Sequence, residues 1–176
     1  MVKKYLKFGI LGLILLSAIF LLTGCGSKTT TSTYDAEDEK VSVSLTYPDS
    51  EDYKWSTESG DLRTSSDKAI LLGPDFKISI QFENLGFRYD NDFNKYKEKY
   101  MADENAKDVT IADINGFRWY YASYRATVVV LPIASNPKEA LKIYVYTELD
   151  EEAAVTEMFN SDVVQSILKT LKITAK

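Results

Sequence analysis

The chain contains no histidine and one cysteine among 176 residues, and each absence closes off a class of chemistry. Without imidazole there is no Ser-His-Asp triad, no Cys-His dyad and no histidine metal site. A lone cysteine makes no intramolecular disulfide, no C-x-x-C redox pair and no thiolate zinc cluster. Glycine is scarce too: there are eight, none clustered after Val41, so Gly-rich phosphate loops are lacking. What is present is a composition 45% hydrophobic and 27% charged, apolar enough to bury a core, in a length that suits one domain.

The first residues read as an address. Lys3, Lys4 and Lys7 precede an apolar run from Phe8 to Leu22, the basic and hydrophobic regions of a secretory signal peptide. At about 15 residues the run is short of the roughly 20 needed to span a bilayer. It ends in Leu22-Thr23-Gly24-Cys25, followed by Gly26-Ser27. This resembles the lipobox of bacterial lipoproteins. The resemblance implies cleavage before Cys25, thioether lipidation of its sulfur and acylation of the new amino group, with palmitate among the chains. The alternative is an uncleaved transmembrane anchor, but the sole cysteine stands where a lipobox requires it. Two or three acyl chains anchor stably where one does not, at about 0.8 kcal/mol per buried CH₂.

Loss of residues 1–24 removes three lysines and no acid, taking the formal charge from −5 to −8. Such a surface repels nucleic acid and anionic lipid, so nucleic acid is not an expected partner. Residues 25–40 hold the small, hydroxylated and then acidic run GSKTTTSTYDAEDEK, which lacks apolar periodicity. The expectation there is a flexible tether behind the lipidated cysteine, with one domain over residues 41–176.

From Val41 strand-like alternation begins. Val41, Val43 and Leu45 form one apolar parity, and Phe76, Ile78, Ile80 and Phe82 another. A helix is expected over 90–102, with Phe93, Tyr96 and Tyr100 at helical spacing. Asn115-Gly116 between two strand-like runs predicts a two-residue type I′ hairpin. Pro132 in the following strand predicts an edge strand or an early end. Leu141–Tyr146 alternates once more. Helices are expected over 151–159 and 162–171, the second capped by Asp162. The order argues for an α+β domain: an antiparallel β-sheet with helices packed on it.

Three chemistries survive the missing histidine, and each has a simpler reading. Asp90-Asn91-Asp92-Phe93-Asn94 starts like a calcium loop, but Lys95 and Met101 stand where an EF-hand needs Gly and Glu, so helix capping explains it. Glu148, Asp150, Glu151 and Glu152 could serve a carboxylate hydrolase, yet closely spaced acids before a helix read as a solvated loop. Ser65/Lys68, Ser135/Lys138 and Ser166/Lys169 match S-x-x-K, but SDN and KTG elements are missing. No catalytic residue, metal site or cofactor is assigned.

The remaining candidate is an aromatic surface. Tyr120, Tyr124, Tyr144 and Tyr146 share one parity of two strands, beside Arg118 and Lys142. On a common sheet face they would form a binding surface, since Tyr and Arg dominate interface hot spots and aromatic rings stack on sugars. The competing expectation is that helices cover them and they belong to the core.

Leu45-Thr46-Tyr47-Pro48 followed by Trp55, the Phe76–Phe82 strand with its helix, the Asn115-Gly116 hairpin and Val164–Leu171 together resemble PsbP-like domains over residues 40–174. That resemblance implies an α/β/α sandwich with an antiparallel sheet, in a family of photosystem II extrinsic subunits and bacterial lipoproteins acting as binding or assembly factors. The expected function is therefore a lipid-anchored extracytoplasmic lipoprotein of the bacterial cell membrane, a non-catalytic binding or assembly module meeting another envelope protein. The alternatives are a small carboxylate-dependent cell-wall hydrolase and a glycan-binding module using Trp55, Trp119 and the tyrosines.

Overall fold

Three strands at the two ends of the chain form a sheet of their own. The computed structural model describes residues 28–35, 41–58, 68–149 and 151–176. Residues 1–27, where the leader and the lipidated Cys25 are expected, along with Ser65 and Asp150, lie outside the described residues. Strand β1 (Thr29–Asp35) pairs antiparallel with β2 (Val41–Pro48), whose other edge takes β10 (Lys172–Ala175).

β1 corrects the tether expectation, because residues 29–35 belong to the fold. Their run of β-branched threonines suits a pleated strand, and β2 offers an edge to pair with. Thr31 Oγ1 meets Thr46 Oγ1 at 2.8 Å and Ser32 Oγ meets the Tyr47 hydroxyl at 2.7 Å. Tyr34 is buried and stacks on Phe82, centroids 5.9 Å apart.

The larger sheet has seven antiparallel strands: β3 (Lys54–Glu58), β4 (Lys68–Leu72), β5 (Phe76–Asn84), β6 (Lys107–Ile111), β7 (Ile114–Tyr121), β8 (Ala126–Pro132) and β9 (Glu139–Thr147). Their order is β3-β4-β5-β9-β8-β7-β6. After β5 come a single turn of helix, α1 (Gly86–Tyr89), and α2 (Phe93–Asp103); after β9 come α3 (Glu152–Asn160) and α4 (Asp162–Leu168). This is an α+β fold.

The period-2 pattern of β5 explains the layering. Phe76, Ile78, Ile80 and Phe82 face a core shared with Val43 and Leu45 of the small sheet and with Phe159, Val164, Ile167 and Leu168 of α3 and α4. On the opposite face, Phe117, Trp119, Val128, Val130 and Tyr144 pack with Tyr89 and Tyr96 from α1 and α2. The small sheet and two helices thus cover one face, and α2 covers part of the other.

Several local details differ from the sequence expectation. The β6–β7 hairpin forms, but its two-residue turn is Ala112-Asp113, with φ of 48° and 64°, and Ile111 pairs with Ile114. Asn115-Gly116 sits inside β7 instead. Gly116 has ordinary negative φ and is needed for space, since a Cβ there would collide with the Val130 carbonyl oxygen of β8. β8 is interior, flanked by β7 and β9, and Pro132 is its final residue, so proline ends the strand without placing it at an edge. Ser161, not Asp162, caps α4: its Oγ accepts from the Val164 N–H at 3.4 Å and donates to the Met158 carbonyl at 2.7 Å.

A candidate aromatic binding face

Register decides which aromatic rings meet. β9 pairs with β8 so that Tyr146 opposes Ala126 and Tyr144 opposes Val128, while β8 pairs with β7 so that Ala126 opposes Tyr121 and Val128 opposes Trp119. Tyr144 and Tyr146 therefore share a face with Trp119 and Tyr121. Tyr120 and Arg118, one residue out of step, point to the opposite face. The expected five-residue surface is divided: Tyr124, Tyr144 and Tyr146 come together, and Tyr120 and Arg118 lie across the sheet.

The assembled face is a chain of ring contacts. Tyr144 and Tyr146 stack at 6.0 Å, Tyr124 meets Tyr144 edge-on at 5.9 Å, and Tyr121 meets Tyr124 edge-on at 5.0 Å. Tyr124 stands on the turn between β7 and β8 and is 58% exposed, whereas Tyr144 beneath it is buried. Edge-on and offset geometries let the positive rim of one ring meet the negative face of another. The outer tyrosine is thereby ordered without being covered.

Two lysines frame the rings. Lys77 pairs in register with Tyr146 and holds its ammonium 4.3 Å from that ring centroid. Lys142 lies 5.7 Å from the Tyr144 centroid and 6.0 Å from that of Trp119, and its ammonium pairs with Glu83 at 3.4 Å. Burial pushes the Tyr146 phenol up to about 12, helped by its neighbours Tyr144 and Tyr124. Burial also raises Tyr144, with Glu83 the next contributor. Tyr144 and Tyr146 thus stay uncharged well above the physiological range.

Trp119 does not reach this surface. It is 4% exposed and packs on Tyr100 of α2 at 4.5 Å, so the helix covers it. Trp55, on β3, stacks against Tyr47 at 6.5 Å, facing the small sheet. Neither tryptophan joins the tyrosines, which removes the two-tryptophan platform from the glycan alternative.

Across the sheet, Arg118 lays its guanidinium 5.0 Å from the Phe159 ring centroid of α3. It lines a cleft of about 330 Å³ with Tyr120, Lys107, Glu104 and Glu152, so both cations and acids border it.

The other candidate chemistries resolve into structure. Asp92 caps α2, accepting from the Asn94 N–H at 2.8 Å, and Asp90 pairs with Lys95 at 2.6 Å in solvent. That hydrogen bond and charge hold the Asp90 carboxyl below its usual range. Glu148, Glu151 and Glu152 are exposed, as a solvated loop requires. Ser166 donates to the Val163 carbonyl at 2.8 Å, and Ser135 and Lys138 are both exposed. Among the described residues no cluster of three or more acidic, cysteine or histidine side chains could hold a metal ion.

No family model, no curated protein and no solved structure matches the chain.

Sequence parity alone missed Tyr121 and Lys77. Parity within one strand is legible, but parity between strands depends on turn length. The four-residue turn 122–125 sets Tyr121 opposite Ala126 and selects the odd residues of β7 as partners for the even residues of β9.

Proposed function

We propose that this protein is a lipid-anchored extracytoplasmic binding or assembly module, without a catalytic role, that meets another envelope protein through Tyr121, Tyr124 and Tyr146. The anchor reading rests on Cys25 closing the Leu22-Thr23-Gly24-Cys25 motif behind a basic and apolar leader. The element order from residue 40 onward, which resembles PsbP-like binding and assembly factors, agrees with it. Among the described residues no helix is long and apolar enough to cross a membrane.

One observation carries the binding reading: Tyr124 is 58% exposed while its ring is fixed against both Tyr121 and Tyr144. A large aromatic already held in place loses little freedom on contact, which is what an interface anchor requires. The test is affinity capture from detergent-solubilised envelopes with the full chain and with Tyr124→Ala. The expected result is a partner retained by the first and lost by the second. Repeated capture of nothing, or equal retention by both, overturns the reading.

A further inference from the structure

Among the described residues, three of the four exposed large hydrophobic side chains, Leu72, Tyr124 and Leu149, lie at one end of the large sheet. Leu72 closes β4, Tyr124 stands on the β7–β8 turn, and Leu149 follows β9. A single register row joins this end across six strands: Lys54 to Leu72, Leu72 to Lys77, Lys77 to Tyr146, Tyr146 to Ala126, and Ala126 to Tyr121. At about 4.8 Å per strand the row is roughly 24 Å long. Apart from the buried Ala126 it carries lysines, a leucine and tyrosines, all on the face of the tyrosine cluster.

The N-terminal segment joins the domain at the same end. The Lys28 carbonyl accepts from the Asp49 N–H at 2.8 Å, Thr29 pairs with Pro48, and the short turn from Ser50 to Tyr53 leads into Lys54. Cys25 is three residues before Lys28, a reach of about 10 Å at full extension. On the proposed lipid anchor, this end of the sheet is held at headgroup level.

We infer that the occupant of the tyrosine row is an integral membrane protein, engaged where it emerges from the bilayer. This deepens the proposed function and rests on its anchor reading. The bilayer itself is the poorer fit, because Asp49, Glu51, Asp52, Asp75 and Glu148 are exposed at this end. Five carboxylates oppose close seating on anionic headgroups. A protein surface complementary to Lys54, Lys77 and the rings meets no such penalty.

The test is photo-crosslinking in intact cells, with benzoylphenylalanine replacing Tyr124 or, as control, Thr174, which is exposed at the opposite end of the small sheet. The expected result is a Tyr124 product in which the partner resists carbonate extraction, with none from Thr174. Insertion of a 20-residue Gly/Ser spacer between Ser27 and Lys28 lifts the domain by roughly 25 Å. It lowers the Tyr124 yield at least five-fold, because the local concentration at the bilayer falls. A partner released by carbonate, crosslinking to lipid alone, no product, or a yield indifferent to the spacer overturns the inference. Failure of the anchor reading is seen separately: the unsubstituted chain itself would then wash off membranes without detergent.

Discussion

Gly116 of β7 lies so close to the Val130 carbonyl of β8 that no methyl group fits between them. The contact is made by backbone, which cannot rotate away as a flexible side chain could. Leu131 Cδ2 closes the same space, 2.7 Å from where a Cβ would stand. Gly116→Ala should therefore force β7 and β8 apart and cost about 1–3 kcal/mol, the usual range for overpacking. Urea unfolding of the full chain checks this. An unchanged midpoint would mean that the strands separate freely, and the tyrosine face would then lack a rigid support.

The α3–α4 junction makes a second prediction. Ser161 both caps α4 and donates back to the end of α3, so its removal loosens two helices at once. Ser161→Ala should cost about 1 kcal/mol, within the usual range for a lost cap. Asp162→Ala, which keeps the cap and removes only a favourable first-turn charge, should cost less, about 0.3–1 kcal/mol. Thermal unfolding of the two variants side by side tests the order.

A pH prediction follows from the buried phenols. Tyr146 holds its proton up to about 12 in the folded state, because burial disfavours the phenolate. In the unfolded chain the same group ionises near 10. Below about pH 10 both states are protonated and Tyr146 adds no pH dependence. Between about 10 and 12 the unfolded state ionises first, so stability falls as pH rises. Tyr96, Tyr100 and Tyr144 are raised as well and act in the same direction. The Tyr146→Phe variant should show a shallower loss of stability across this window, read from urea midpoints at pH 9, 10 and 11. A slope identical to that of the unsubstituted chain would contradict the burial of this hydroxyl.

The proposed anchor is tested at one atom. Cys25→Ser removes the thiol on which a diacylglyceryl thioether would form, so labelled palmitate incorporation should fall to background. The protein should then keep the uncleaved leader or leave the membrane fraction. Full incorporation into the Cys25→Ser variant would refute the anchor.

Much of the fold was legible because alternation is a local property. The valines and leucine of β2 and the phenylalanines and isoleucines of β5 each announce a strand with one buried side, and both form. Turns were less legible. Asn-Gly is the commonest signal for a two-residue hairpin, yet here Ala112 and Asp113 accept positive φ and the glycine answers a packing demand from β8. The threonines of β1 read as linker because their side chains are polar, but a strand on the edge of a small sheet needs only one buried residue, Tyr34. The tyrosine face was half legible for a related reason: each strand shows its own two sides, and only the turn 122–125 shows which sides coincide.

Strand β2 is shared between the first strand of the domain and the last. β1 holds one edge and β10 the other, and Thr170 Oγ1 accepts from the Thr46 N–H at 2.8 Å across 124 positions of sequence. The small sheet is therefore incomplete until residues 172–175 are present, and contacts of such high sequence separation form slowly. Every strand of the large sheet precedes Lys172 in the chain, so β2 finds its second neighbour only after all seven are made. Loss of Lys172–Ala175 would leave β2 with an open edge beside an otherwise complete large sheet.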